Sequence, residues 1–353
     1  MTFNWSDHLE SALTRISELA TGATSLRVYR AGGRVALAVP EDQQVAEMVM
    51  NLYQPQRLKG RLFKQMVRLQ SRNRFNLAGY KHLGESSQIP EIEWLIEPAR
   101  SGTLGFLGCN PAHGLRCIVA GISPSTGESF IVKLGCDESA EAVKREHTVL
   151  IKLQDRYPGV IKPAGSASGK DWFAMKLPYL GHTSPGAFNL PTVENLLSSW
   201  CSEERQRVTE WGVMDEILKK IRMVPAMSGW QQKVGALKVS RSLVHGDFAL
   251  WNLRDTPDGL HAIDWEWADE NGLAGIDLIH GLRQEALMVK KLGASAAFVW
   301  IQEQLRSDKW VAYLSGTGWE QNLNDLLRIG LLHSHFIAKN DSKEMLGMLG
   351  IEV

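Results

Sequence analysis

Residues 243 to 253 read LVHGDFALWNL, an apolar stretch interrupted by His245, Gly246 and Asp247 and, five positions after the acid, by Asn252. Polar groups in such a run need partners, because burying them unpaired is costly. A second acid follows in LHAIDWEWADENGLAGIDLIHGL. Asn252, Leu253 and Arg254 read as a strand, DTPDG as a turn with Pro257 and Gly259, and LHAI as the returning strand. The hairpin therefore brings Asp264 back to Asn252. An acid, an amide and a second acid make an oxygen-rich cluster of the kind that suits a hard cation such as Mg²⁺, the amide ligating through its carbonyl oxygen. Asp247, on the turn before the hairpin, is then placed to accept a proton from an incoming hydroxyl.

The elements that must hold these residues can be read from changes of pattern, since the chain has no fixed-period repeat and no low-complexity tract. Up to about residue 95 we expect a helix from Trp5 to Leu19, a hairpin in SLRVYRAGGRVALAV turned at Gly32 and Gly33, and two helical stretches on either side of Pro55. TLGFLGCN, LRCIVAGIS and SFIVKLG read as strands separated by the turn-forming clusters NPAHG and PSTGE. SAEAVKREHTVLIKL has helical spacing through Val143, Glu146, Val149, Leu150 and Leu153. Ile161 to Ala167 and Trp172 to Leu177 read as two more strands, and from about residue 190 the pattern is mainly helical apart from the LVHGD stretch and its sequel.

HGDFALWN followed by AIDWEWA resembles the catalytic segment of the aminoglycoside phosphotransferase and choline kinase superfamily, small-molecule relatives of the protein kinases. In kinases a catalytic-loop Asp acts as base, an Asn five residues later binds Mg²⁺, and a further metal-binding Asp follows. By that resemblance Asp247 is the catalytic base, His245 a structural member of the loop, and Asn252 and Asp264 the metal ligands. DWE is closer to the DFE of choline kinases than to DFG, which puts Glu266 near the metal or the substrate, and Asp277 matches an acid that braces the catalytic loop. The resemblance also demands an upstream strand lysine paired with a helix glutamate. Lys133 in FIVKLG and Glu146 in the next helix fill these places, holding and orienting the phosphates of ATP. Glu141 is the alternative partner, but it projects about 140° away from Glu146 around the helix. GCNPAHG stands where the phosphate loop belongs, with Gly108, Asn110 and Gly114 as its nucleotide-binding positions, although it is not GxGxxG and Pro111 removes a donor. MKLPY, residues 175 to 179, is the position of the adenine-binding hinge.

The resemblance, spanning about residues 100 to 290, implies an α+β, bilobal, protein-kinase-like fold. Its parts are an N-terminal α/β extension over 1–95, a small β-rich N-lobe over 96–180 and a larger, mainly helical C-lobe over 181–353. It implies an ATP- and Mg²⁺-dependent phosphotransferase acting on a hydroxyl of a small polar acceptor. The HGDFxxWN form with DWE and the stretch NLYQPQRLKGRL looks like kinase-like proteins encoded with bacterial polysaccharide assembly enzymes, which favours a sugar or saccharide. Aminoglycosides fit less well, because residues 190 to 235 mix acids and bases. Choline or an amino alcohol is the rival acceptor, since Trp251, Trp265 and Trp267 lie beside the site and quaternary ammonium groups favour aromatic faces. A pseudokinase scaffold for membrane-associated assembly is the rival of another class, motivated by the imperfect phosphate loop.

Composition narrows the partners. In 353 residues, 39 Lys and Arg balance 39 Asp and Glu, so no net field points to nucleic acid. Cys109, Cys117, Cys136 and Cys201 lack CxxC spacing, which fits a reducing compartment. The opening MTFNWSDHLESALTRISEL already carries Asp7 and Glu10, so we expect no signal peptide and a cytoplasmic protein. From Met48 to Gly84 there are eight basic residues, Arg57, Lys59, Arg61, Lys64, Arg68, Arg72, Arg74 and Lys81, and no acid. With the apolar stripe Leu58, Leu62, Met66 and Leu69, residues 57–81 read either as a helix packed on the kinase lobe or as a peripheral contact with the inner face of a membrane.

Overall fold

The computed structural model describes residues 25–31, 34–53, 58–73, 81–82, 104–108, 115–123, 125–181, 183–188, 190–223, 229–338 and 340–352. The helix expected at Trp5 to Leu19, the Gly32–Gly33 turn, Asn110, Pro111 and Gly114 lie outside them. The chain divides into two compact units, one of residues 1–152 and 161–182, the other of residues 153–160 and 183–353.

The first unit is built on an antiparallel sheet. Strands β1 (Ser25–Ala31) and β2 (Arg34–Pro40) are followed by helices α1 (Gln43–Leu52) and α2 (Leu58–Asn73) and strand β3 (Lys81–His82). Then come β4 (Leu104–Gly108), β5 (Leu115–Ile122), β6 (Ser129–Cys136), helix α3 (Glu138–Leu153), β7 (Gly165–Ser168) and β8 (Trp172–Pro178). The order across the sheet is β3-β1-β2-β4-β5-β6-β8-β7. The strands before residue 95 thus continue the sheet of the lysine-bearing strands, with Leu37 paired to Leu107 and Ala38 to Phe106. Hydrophobic side chains make that joint: Tyr29, Leu37, Val39, Val45, Met48 and Val49 share one core with Leu107 and Ala120.

Helix α2 settles which of its apolar arcs is inward. Phe63 and the buried Val67 join that core, with the Phe63 ring edge-on to Tyr29 and Tyr53 at 5.6 and 6.0 Å. Lys64 donates to the Tyr53 carbonyl at 2.6 Å, and Arg68 pairs with Glu47 at 3.3 Å. Three residues of the stripe read from the sequence face the other way: Leu62, Met66 and Leu69 are 57%, 43% and 61% exposed.

In the second unit α4 (Pro191–Ser199), α5 (Gly212–Lys220), α6 (Trp230–Ala236), α7 (Ile276–Gln284), α8 (Ala294–Leu305), α9 (Val311–Thr317), α10 (Leu323–Phe336) and α11 (Lys343–Met348) supply most of the regular structure. One expectation is corrected. Cys201–Arg207, read as part of a helical region, is strand β9, paired with Lys238–Val244 beside Asp269–Leu273 in a three-stranded sheet. Its middle residues are exposed, and pairing on one edge overrides a composition that favours helix. The hairpin expected after Asn252 is present as Leu253–Thr256 and Gly259–Ala262, with Asn252 itself in the short turn before it. Among the described residues no helix is long and apolar enough to cross a membrane.

Candidate active site

In the first unit, Lys133 and Glu146 meet as the spacing requires. Strand β6 pairs Lys133 with Ile118 on one side and Met175 on the other. Helix α3 can lie against that strand because Gly135 has no side chain: a Cβ there would stand 2.4 Å from the Ser139 carbonyl oxygen. The Lys133 ammonium then donates to both carboxylate oxygens of Glu146, at 2.7 and 2.9 Å. The side chains are 14% and 4% exposed, so each charge depends on the other in a poorly solvated place. Glu141 is turned away, exposed, toward Lys144 at 3.9 Å. Gly108 ends strand β4, partly buried.

In the second unit, the loop after Val244 is held from three sides. Gly246 has φ +85, and a Cβ there would meet the Trp267 carbonyl oxygen at 2.6 Å, so glycine is needed for both conformation and space. The buried Asp277, on α7, accepts from the backbone N–H of His245 at 2.7 Å and of Gly246 at 3.0 Å. His245 is fully buried, with Nε2 2.9 Å from the Ile263 carbonyl and Nδ1 3.3 Å from the Asp247 backbone nitrogen. The carbonyl only accepts and the amide only donates, so the proton sits on Nε2. His245 thereby ties the Asp247 turn to the residue preceding Asp264. Its role is to hold the loop, and burial lowers its affinity for a further proton against the pull of Asp277, Asp247 and Asp264. Burial pushes the Asp277 carboxyl up, while His245 and the two backbone donors pull the other way.

The hairpin delivers the amide and the second acid together, with Leu253 paired to Ala262 and the Ile263 N–H donating to the Asn252 carbonyl at 2.8 Å. Asn252 donates its side-chain nitrogen to the Asp247 carbonyl at 2.9 Å and to Asp247 Oδ2 at 3.0 Å. The amide is thus oriented with its oxygen as the atom left for a ligand. Asp264 has φ +72, a left-handed backbone that a non-glycine residue rarely adopts and that clusters at functional sites. Among the described residues no group of three or more His, Cys, Asp or Glu side chains converges on a metal position. Two protein oxygens, one amide and one carboxylate, nevertheless suit Mg²⁺, which is commonly held by one or two protein groups with phosphate and water completing its shell.

Two residues change standing. Trp265 is fully buried, donates to the Ala262 carbonyl at 2.8 Å, and packs on His245 at 4.6 Å and Trp200 at 5.2 Å. It is core, unavailable to a ligand, whereas Trp267 is exposed. His280, which the sequence reading passed over inside GIDLIHGL, reaches Asp247 Oδ1 with its Nε2 at 3.0 Å. Its only sequence signal is its place one helical turn beyond Asp277.

No family model matches the chain, and no curated protein matches it. Solved structures do match. An aminoglycoside phosphotransferase of Streptomyces rimosus is 13% identical, the match covering 61% of this chain and 87% of that one with a TM-score of 0.38. A glucosamine kinase is 12% identical over 77% and 83%, with a TM-score of 0.36. A Plasmodium vivax ethanolamine kinase is 12% identical over 67% and 76%, with a TM-score of 0.37. The fold class expected from sequence is the one observed, with a lysine–glutamate pair in an antiparallel-sheet unit and an HGDxxxxN loop in a mainly helical one.

The same unit carries a pH dependence. Burial, with His280 adding to it, pushes His333 on α10 down to about 3. The unfolded chain takes up that proton near pH 6.5. The unfolded state therefore binds more protons below that pH, so this contribution is complete above it and lost as the pH falls toward 3. His333 alone is expected to cost about 2 kcal/mol between pH 6.5 and pH 5. Urea midpoints should fall over that interval, and His333→Gln should flatten the slope; an equal slope in the variant would refute the assignment.

Proposed function

We propose that the protein is an ATP- and Mg²⁺-dependent phosphotransferase acting on a hydroxyl of a small polar acceptor, with a sugar or saccharide as the acceptor. The observation that carries this reading is the loop itself: Asp247, half-exposed, is bonded to Asn252, while the Asn252 carbonyl accepts from the residue before Asp264. Asp247 aligns the acceptor hydroxyl and takes its proton as the new bond to phosphorus forms. Asn252 Oδ1 and the Asp264 carboxylate are the groups that hold Mg²⁺, which when bound supplies electrostatic neutralisation of the phosphoryl oxygens. Lys133, oriented by Glu146, binds phosphate oxygens, as do the backbone positions of Gly108, Asn110 and Gly114. His245 fixes the loop and touches no reactant. Catalysis here is positioning and electrostatics.

The amino-alcohol alternative loses one wall of its proposed aromatic cage, since Trp265 is core, leaving Trp267 and the half-buried Trp251. Presenting Mg·ATP with separate panels of saccharides and amino alcohols decides between them. Turnover with saccharides supports our reading, turnover with choline or ethanolamine replaces the acceptor, and nucleotide binding without turnover on any acceptor supports a scaffold.

The outward ridge of α2 favours a membrane as a further partner. Leu62, Met66 and Leu69 stand exposed in a segment free of acids from Met48 to Gly84, the composition of a helix that lies in an anionic interface. Co-sedimentation with phosphatidylserine vesicles at low salt is expected, with a several-fold loss in Leu62→Ser/Leu69→Ser. Failure of the wild type to sediment would remove this partner.

A further inference from the structure

Helix α7 addresses three consecutive residues of the loop from a single turn. Asp277 takes the backbone amides of His245 and Gly246, and His280, three positions on and on the same face, takes the side chain of Asp247. The imidazole is 1% exposed and the Asp247 side chain 33%. A carboxylate can only accept, so His280 Nε2 carries the proton of this bond. Its Nδ1 is buried with no hydrogen-bond partner among the described residues, so Asp247 is the acceptor on which the ring's orientation depends. Gln284, one turn further, lies beside the ring with its amide nitrogen 3.4 Å from Nε2.

Both oxygens of Asp247 are consequently held from within the unit: Oδ1 by His280 and Oδ2 by Asn252, each at 3.0 Å. A carboxylate's terminal torsion is broad and nearly two-fold, so one such bond leaves it free to turn and two do not. Asn252 is also a ligand candidate, whereas nothing in the reaction as described requires a histidine at 280.

We propose that His280 is a positioning residue for Asp247, fixing Oδ1 so that the carboxylate presents a constant lone pair to the acceptor hydroxyl. This rests on the reading of Asp247 as the base. In the step it serves, the acceptor oxygen bonds to the γ-phosphorus and the bond to the ADP oxygen breaks. The hydroxyl proton passes to Asp247, and His280 keeps its own proton throughout. A misplacement of the order of 1 Å at a catalytic group costs up to about 10²-fold in rate, which sets the scale of the effect.

Two variants of the full chain separate reach from mere polarity. Gln places an amide nitrogen near the position of Nε2, and Asn places one near Nδ1, short of the carboxylate. With Mg·ATP and water as acceptor, His280→Asn is expected to lower kcat roughly 10- to 100-fold with KM for Mg·ATP and calorimetric Mg·ADP affinity unchanged. His280→Gln should recover most of that loss. The inference is overturned if His280→Asn turns over like the wild type, or if His280→Gln is as slow as His280→Asn while folded. It is also overturned if rate, nucleotide affinity and melting temperature fall together, as a purely structural histidine requires. Asp247→Asn run alongside distinguishes the two levels: full activity there, or no turnover in the wild type, refutes the base and the positioning role together. An inactive Asp247→Asn beside a fully active His280→Asn refutes the positioning role alone.

Discussion

Asp247→Asn is expected to lower acceptor-dependent phosphoryl transfer by about 10²- to 10⁴-fold, the range associated with loss of a general base. The change keeps shape and removes charge, so any surviving rate reflects the remaining positioning groups. It also removes one acceptor oxygen from a side chain that receives hydrogen bonds from both His280 and Asn252. An amide offers only one oxygen to these two donors, so a stability loss of about 1–2 kcal/mol accompanies the activity loss. Steady-state assay of the purified variant, with urea unfolding beside it, measures both. A rate within threefold of the wild type would remove Asp247 from the chemistry.

The second large effect lies in the other unit. Lys133→Met takes from Glu146, whose side chain is 4% exposed, the ammonium that donates to both of its carboxylate oxygens. Breaking a buried pair from one side costs about 3–5 kcal/mol, far more than the net worth of the pair. Replacing both partners, as Lys133→Met/Glu146→Leu, should return most of that stability because two apolar groups can pack where two charges stood. It should restore no activity, because the phosphates lose their lysine in both variants. Urea midpoints and kcat for the three proteins separate the roles: recovery of kcat in the double variant would show that Lys133 serves only the fold.

Much of the candidate site's geometry was legible because it depends on short spacings. Asp247 and Asn252 are five apart, and Asp264 returns by a hairpin whose turn is written in Pro257 and Gly259. Lys133 was recognisable as a charge in a β-branched strand, and helical spacing chose Glu146 over Glu141. What the sequence did not disclose is decided by tertiary contacts. His280 sits in an apolar helix and meets Asp247 across 33 residues, a pairing no local pattern encodes. Trp265 and Trp267 are two positions apart, yet one is core, packed on Trp200 and His245, and the other is exposed. Helix α2 carries apolar residues on two arcs, and the rings of Tyr29 and Tyr53 select Phe63 as the inner one. Cys201–Arg207 is too polar to announce a strand, and β9 exists because Lys238–Val244 offers it an edge.

The most direct test of the chemistry is transfer of label from the γ-phosphate of ATP into fractionated soluble and lipid-linked metabolites, with Mg²⁺ and with a chelator. A phosphotransferase that uses Asn252 and Asp264 as metal ligands labels one acceptor fraction in the presence of Mg²⁺ and none with the chelator or with Asp264→Asn. Nucleotide binding with no acceptor labelled in any fraction, or labelling that persists in Asp264→Asn, would contradict it.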